Sequence, residues 1–209
     1  MTNPTIVTAT PAGEFLKYSI SGGTQRGDFL FHSFSVFQLV ANELARFAAP
    51  PTVRSIFARV TGISLSVVDG LIGVDHTADL YFMDQSGIIF GPNAVLNVGG
   101  DFVATTAIAL NFQGQPFGTT PILDAPIAPG FALPDLLFGS EPQSILNNGN
   151  LVVQEGKRLI LADRILNPPN PHPPSGTASV PGPLPWLGAA VAFRTSRRIR
   201  HRVAKQQDC

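Results

Sequence analysis

Between Gly87 and Ala107 the chain reads GIIFGPNAVLNVGGDFVATTA. Apolar residues occupy every second position in short pairs: Ile88 with Phe90, Leu96 with Val98, Phe102 with Ala104. Gly, Asn, Pro and Asp separate the pairs. Period-2 alternation puts each pair on one face of a short strand, and the separating residues are those that turn a chain. The commoner architecture for many short strands is an antiparallel sandwich or barrel. Two features favour a parallel coil instead. The turns GPNA, NVGGD and NNGN (Asn147–Asn150) are corner-like, not two-residue Asn-Gly or Asp-Gly hairpins. Strands this short also pair weakly as hairpins, whereas stacked windings bury every inward side chain against the rung above and below.

Composition agrees with a turn-rich all-β protein. The 209 residues include 20 Gly and 19 Pro but only 13% charged residues, and they suffice for one core plus a tail. The zero net charge conceals an asymmetry, because Arg194, Arg197, Arg198, Arg200, Arg202 and Lys205 crowd the end of the chain. Nowhere else are basic residues interleaved with aromatics, so no nucleic-acid partner is expected. The lone Cys209 allows no internal disulfide and reads as an incidental thiol. After Met1, TNPTIVTATPAG has neither a basic nor an apolar signal region, so no secretory leader is expected in the sequence as given.

Along the chain, Phe15–Ile20 and Phe29–Phe37 read as strands. Val53, Ile56, Phe57 and Val60 fall at i, i+3, i+4 and i+7, which predicts a short helix beginning after Pro51. That helix and the aromatic Phe29–Phe37 segment are the expected cap for the first rung. Ile88, Phe90, Leu96, Val98 and Phe102 recur 63 positions later as Leu151, Val153, Leu159, Leu161 and Ile165. At about 20 residues per winding, that offset predicts about three windings. Between the two segments, the Pro-rich stretch Gln113–Pro142 is a loop or extrusion, since Pro cannot donate to a central ladder.

Three segments, Gly22–Phe37 (GGTQRGDFLFHSFSVF), Ser55–Gly62 (SIFARVTG) and Ser86–Ala107, together resemble the amino-terminal domain of filamentous haemagglutinins. This is the two-partner secretion, or haemagglutination-activity, domain, and the wording is similar to its cyanobacterial members. The resemblance covers about residues 10–165 and places the domain at 10–166. It implies a right-handed parallel β-helix with an amino-terminal cap. It also implies a non-enzymatic secretion or adhesin domain of a secreted or cell-surface protein, recognised by an outer-membrane two-partner secretion transporter, with no cofactor and no metal. The family's Asn-Pro-Asn-Gly-Ile turn stands here as Asp84-Gln85-Ser86-Gly87-Ile88, keeping only Gly-Ile. Those five residues and Asn93 are the expected secretion-motif positions.

The end of the chain carries a second resemblance. Asn167–Ser179 (NPPNPHPPSGTAS) reads as a disordered Pro-rich linker over 167–179. From Val180 the sequence VPGPLPWLGAAVAFRTSRRIRHR is similar to a carboxy-terminal PEP-CTERM sorting signal, spanning 180–203 as a short apolar and basic tail. Its elements are Pro181-Gly182-Pro183, an apolar run too short to span a bilayer alone, and the basic stop at Arg197, Arg198 and Arg200. The resemblance implies an exosortase-like sorting protease as a partner and membrane contact through the tail. A membrane-tethered envelope or biofilm-matrix protein, or an adhesin remnant, is the alternative function.

Because parallel β-helices also host polysaccharide-cleaving enzymes, the carboxylates need weighing. Asp75, Asp79 and Asp84, with His76 beside the first, form the densest acidic group. Glycoside hydrolysis needs two carboxyls facing one cleft. Turn-stabilising aspartates that accept local amide hydrogen bonds explain the same residues, so no catalytic residue is assigned. His32 and His76 lack metal-ligand spacing. Arg26-Gly27-Asp28 spells a receptor-binding tripeptide but sits inside a motif already explained without it.

Overall fold

The computed structural model describes residues 3–112, 115–118, 135–141 and 143–163. The linker and tail expected from Asn167 onward, with Pro181, Gly182, Pro183, Arg197, Arg198, Arg200 and Cys209, lie outside the described residues. Every regular element described is a strand.

The hairpin of β1 (Thr5–Ala12) and β2 (Phe15–Gly22) leads into β3 (Thr24–Arg26), which pairs antiparallel with β4 (Phe29–Phe34). With β5 (Gln38–Leu39) the first turn is complete. β6 (Glu43–Phe47), β7 (Ser55–Val60) and β8 (Ser66–Val68) make the second turn. The third comprises β9 (Leu71–Val74), β10 (Asp79–Asp84) and β11 (Ile88–Phe90). The next begins with β12 (Val95–Asn97) and β13 (Phe102–Thr105). There the chain leaves the coil as β14 (Ala109–Phe112), β15 (Gln115–Gly118) and β16 (Asp135–Leu137), returning as β17 (Ile145–Asn147) and β18 (Leu159–Ala162). Strands at equivalent points stack in parallel into three sheets, so the fold is a β-solenoid of about three turns.

Register explains the core. Leu30, Ile56, Leu80, Phe102 and Leu159 form one column through the interior. Beside it runs His32, Ala58, Phe82, Ala104 and Leu161, where small alanines alternate with larger side chains and let the rungs interlock. Ile88, Phe90, Val98, Phe102 and Ala104 are all buried and Leu96 packs against them, as the period-2 reading of 87–107 requires.

Three expectations are corrected. Residues 55–60 form β7, not a helix, and β7 is buried on both faces: Ile56, Ala58 and Val60 point into the coil. Phe57 joins a second apolar cluster with Phe31, Tyr81 and Met83, closed by Leu110 and Phe117 from the extrusion. A strand apolar on both sides loses its alternation and can mimic helical spacing. The segment expected to cap the first rung is therefore rung strand, with β4 between β3 and β7; the outermost strands of the three sheets at that end are β1, β3 and β5. The 63-residue repeat is also wrong in register. Ile88 pairs with Ile145 and Phe102 with Leu159, 57 positions on, and only one winding separates them. Ordinary windings advance between 22 residues (Leu80 to Phe102) and 29 (Gln38 to Val67). The Gln113–Pro142 stretch supplies the excess: it carries β15 and β16, which flank β14 in an antiparallel sheet. Pro116 sits in β15, at the edge of that sheet, where a missing donor is tolerated.

Candidate functional site

The turn expected to carry the secretion motif joins β10 to β11. β10 ends on Asp84, which is fully buried. Its carboxylate accepts from Ser66 Oγ of the preceding turn (2.6 Å) and from Ser86 N of its own (2.8 Å). Burial pushes the Asp84 carboxyl up from its ordinary value, against the pull of the bonds from Ser66 and Ser86. Gly87 N donates to the Asp84 carbonyl and closes the turn, and Gly87 takes φ +112°, where a side chain is strained. Ser86 Oγ donates to the Gly62 carbonyl one winding earlier (3.0 Å). On the other side, Ile88 N donates to Ser144 O. The turn is thus fixed to the windings before and after it, and Gln85 is its exposed residue. A groove of about 390 Å³ opens beside it, lined by Gln85, Ser86, Ile63, Thr106, Glu141 and Gln143 among others.

Asn93 does not join this corner. It lies past the other end of β11, where its backbone N and Nδ2 donate to the two carboxylate oxygens of Asp69 (2.8 and 3.1 Å). The candidate residues thus mark the two ends of one strand.

Asp69 belongs to a pattern that single-site reading missed. At another corner the Asp79 carboxylate accepts from Asp101 N (2.8 Å), and Asp101 in turn accepts from Arg158 N (2.9 Å) and Nε (2.7 Å). An aspartate of one winding repeatedly holds the backbone of the next. The available signal was spacing: Asp79 and Asp101 lie one winding apart, as do Asp69 and Asn93.

The acids weighed for catalysis are thereby dispersed. Asp75 is bound to Arg46 (2.5 Å), Asp79 serves the Asp101 corner, and Asp84 lies at the far end of β10 from Asp79. His76 sits in a corner with φ +60°. His32 is buried at the start of the coil, its Nδ1 beside Thr5 Oγ1 (3.3 Å), and desolvation lowers its pKa to about 4. It borders a second groove, of about 470 Å³, with Arg59 and Phe117. Among the described residues no three His, Cys, Asp or Glu could hold a metal ion. Gly27 and Asp28 of the receptor-like tripeptide form the tight turn between β3 and β4, with Asp28 3.6 Å from Arg54.

Residues 8–162, which run from within β1 to the end of β18, match the family model of the TPS secretion domain. The chain belongs to the TPS secretion domain family. No curated protein and no solved structure matches it significantly. TPS domains mark substrates of two-partner secretion, exported across the outer membrane, and the family is not an enzyme family. The corner aspartates of this TPS domain accordingly read as structural groups that join successive windings.

Proposed function

We propose that this TPS domain is a non-enzymatic secretion and adhesin-type module whose recognition by an outer-membrane transporter depends on the Asp84–Ile88 turn, with Asn93 stabilising the opposite corner. What carries the reading is that a buried aspartate fixes this turn to its neighbours while Gln85 is left facing solvent beside a groove. In this reading the coil is right-handed, the hand of nearly all parallel crossovers, and β1 and β3 close its amino-terminal end.

Co-expression behind a signal peptide with a candidate transporter tests it. Gln85→Lys should fold normally yet reduce the amount outside the cell, whereas a substitution at exposed Glu155, remote in sequence, should not. Equal export of both variants would remove the turn from recognition.

A second reading concerns the tail. The order of Pro181-Gly182-Pro183, apolar run and Arg197, Arg198, Arg200 favours an exosortase-like protease and membrane contact, which would make a tethered envelope protein. Deleting residues 180–202 should abolish envelope retention if this holds; unchanged retention would exclude the tether.

A further inference from the structure

Among the described residues β1 is the outermost strand of its sheet and pairs only with β2. Every residue from Ile6 to Ala12 is exposed, including Ile6 and Val7 at 51% each. Folded proteins protect such edges with charges, bulges or covering segments. β1 (TIVTATPA) has no charge, whereas β3, at the edge of the neighbouring sheet, carries Arg26.

The register shows which groups are unpaired. Gly23 N donates to Pro4 O, so the even-numbered residues turn their backbone groups toward β2. Alternation in an antiparallel pair then aims N–H and C=O of Thr5, Val7 and Ala9 away from the sheet. Pro11 also faces outward and has no N–H, which limits the usable edge to Thr5–Ala9.

We propose that this edge pairs antiparallel with β1 of a second copy of the chain, across a two-fold axis at Val7. In that register Val7 exchanges both backbone hydrogen bonds with Val7 of the second copy, and Thr5 does so with Ala9. The arrangement is closed and isologous. Like charges cannot oppose each other, because the strand has none. It also puts the apolar side chains of Ile6 and Val7 beside those of the second copy on the two faces of a continuous sheet. Five paired residues cover less than the ~1,000 Å² typical of stable interfaces, so the dimer is weak and concentration-dependent.

Sedimentation of the full chain up to about 1 mM, the weak end of specific association, should show a monomer–dimer equilibrium. Val7→Pro removes the central donor without touching the β1–β2 pairing. It should weaken association about tenfold or more with an unchanged melting temperature, as should Val7→Lys, which keeps the donor but opposes two cations. Oxidation locates the axis. Hydrogen-bonded antiparallel partners have Cα atoms ~5.5 Å apart, within disulfide range. In a Cys209→Ser background Val7→Cys should therefore cross-link as a dimer while Thr10→Cys should not. A monomer at every concentration, undiminished dimer in both Val7 variants, or equal cross-linking at positions 7 and 10 would overturn the proposal. So would pairing seen only with the transporter, which would make β1 a site for that partner instead.

Discussion

Replacing Asp84 by Ala tests the claim that a buried carboxylate holds the motif turn. Two bonds are lost, from Ser66 Oγ at 2.6 Å and Ser86 N at 2.8 Å. Hydrogen bonds to a charged group contribute about 1.5–3 kcal/mol each. Ser66 is fully buried, so its hydroxyl is stranded, whereas Ser86 is half-buried and can reach water. Removing the buried charge returns part of this, because its desolvation cost disappears. The net expectation is a loss of about 2–4 kcal/mol. In urea this appears as a lower midpoint at unchanged slope, and thermally as a fall of roughly 4–16 °C for a domain of this size. Asp84→Asn keeps an acceptor for Ser86 N and should stay within about 1 kcal/mol of the parent. The pH dependence follows from the raised carboxyl. A group that holds its proton more tightly when folded favours the fold most below its unfolded pKa of ~3.9, and this contribution is lost as pH rises through the folded value. Relative to Asp84→Asn, which does not titrate, the parent should lose stability across that window and run parallel above it. An Ala variant as stable as the parent, or a parent that gains on Asn across the window, would refute the reasoning.

Other perturbations probe the same architecture. Phe57 stacks on Phe31 (5.2 Å) and Tyr81 (4.7 Å) and meets Phe117 edge-on, so Phe57→Ala should cost about 3–5 kcal/mol in urea unfolding. Asp101→Ala removes the acceptor for Arg158 N and Nε and should raise amide exchange in Leu159–Ala162 more than in β7, at a cost of about 1–2 kcal/mol. At Gly62 a Cβ would run into the Ser35 carbonyl of the preceding winding. Gly62→Ala should therefore lower the melting temperature, by roughly 2–8 °C for a loss of about 1–2 kcal/mol.

Alternation alone determined that residues 88–104 form short strands facing one core, because period-2 spacing is a local property that burial on one side imposes directly. The corner residues and the three separated motifs likewise gave the parallel coil and its family. Tertiary structure decided what lies on the far side of each strand. Residues 53–60 look helical because the extrusion covers the outer face of β7 with Leu110 and Phe117, and no local pattern announces a cover placed some fifty residues later. The same insertion set the true 57-residue register against the apparent 63, since a solenoid fixes which positions stack but not how much chain may leave between them. The motif positions divided in the same way. Gly87 and Ile88 were legible as turn and core. The role of Asp84 depended on Ser66, eighteen positions earlier, which only the winding of the chain brings to 2.6 Å.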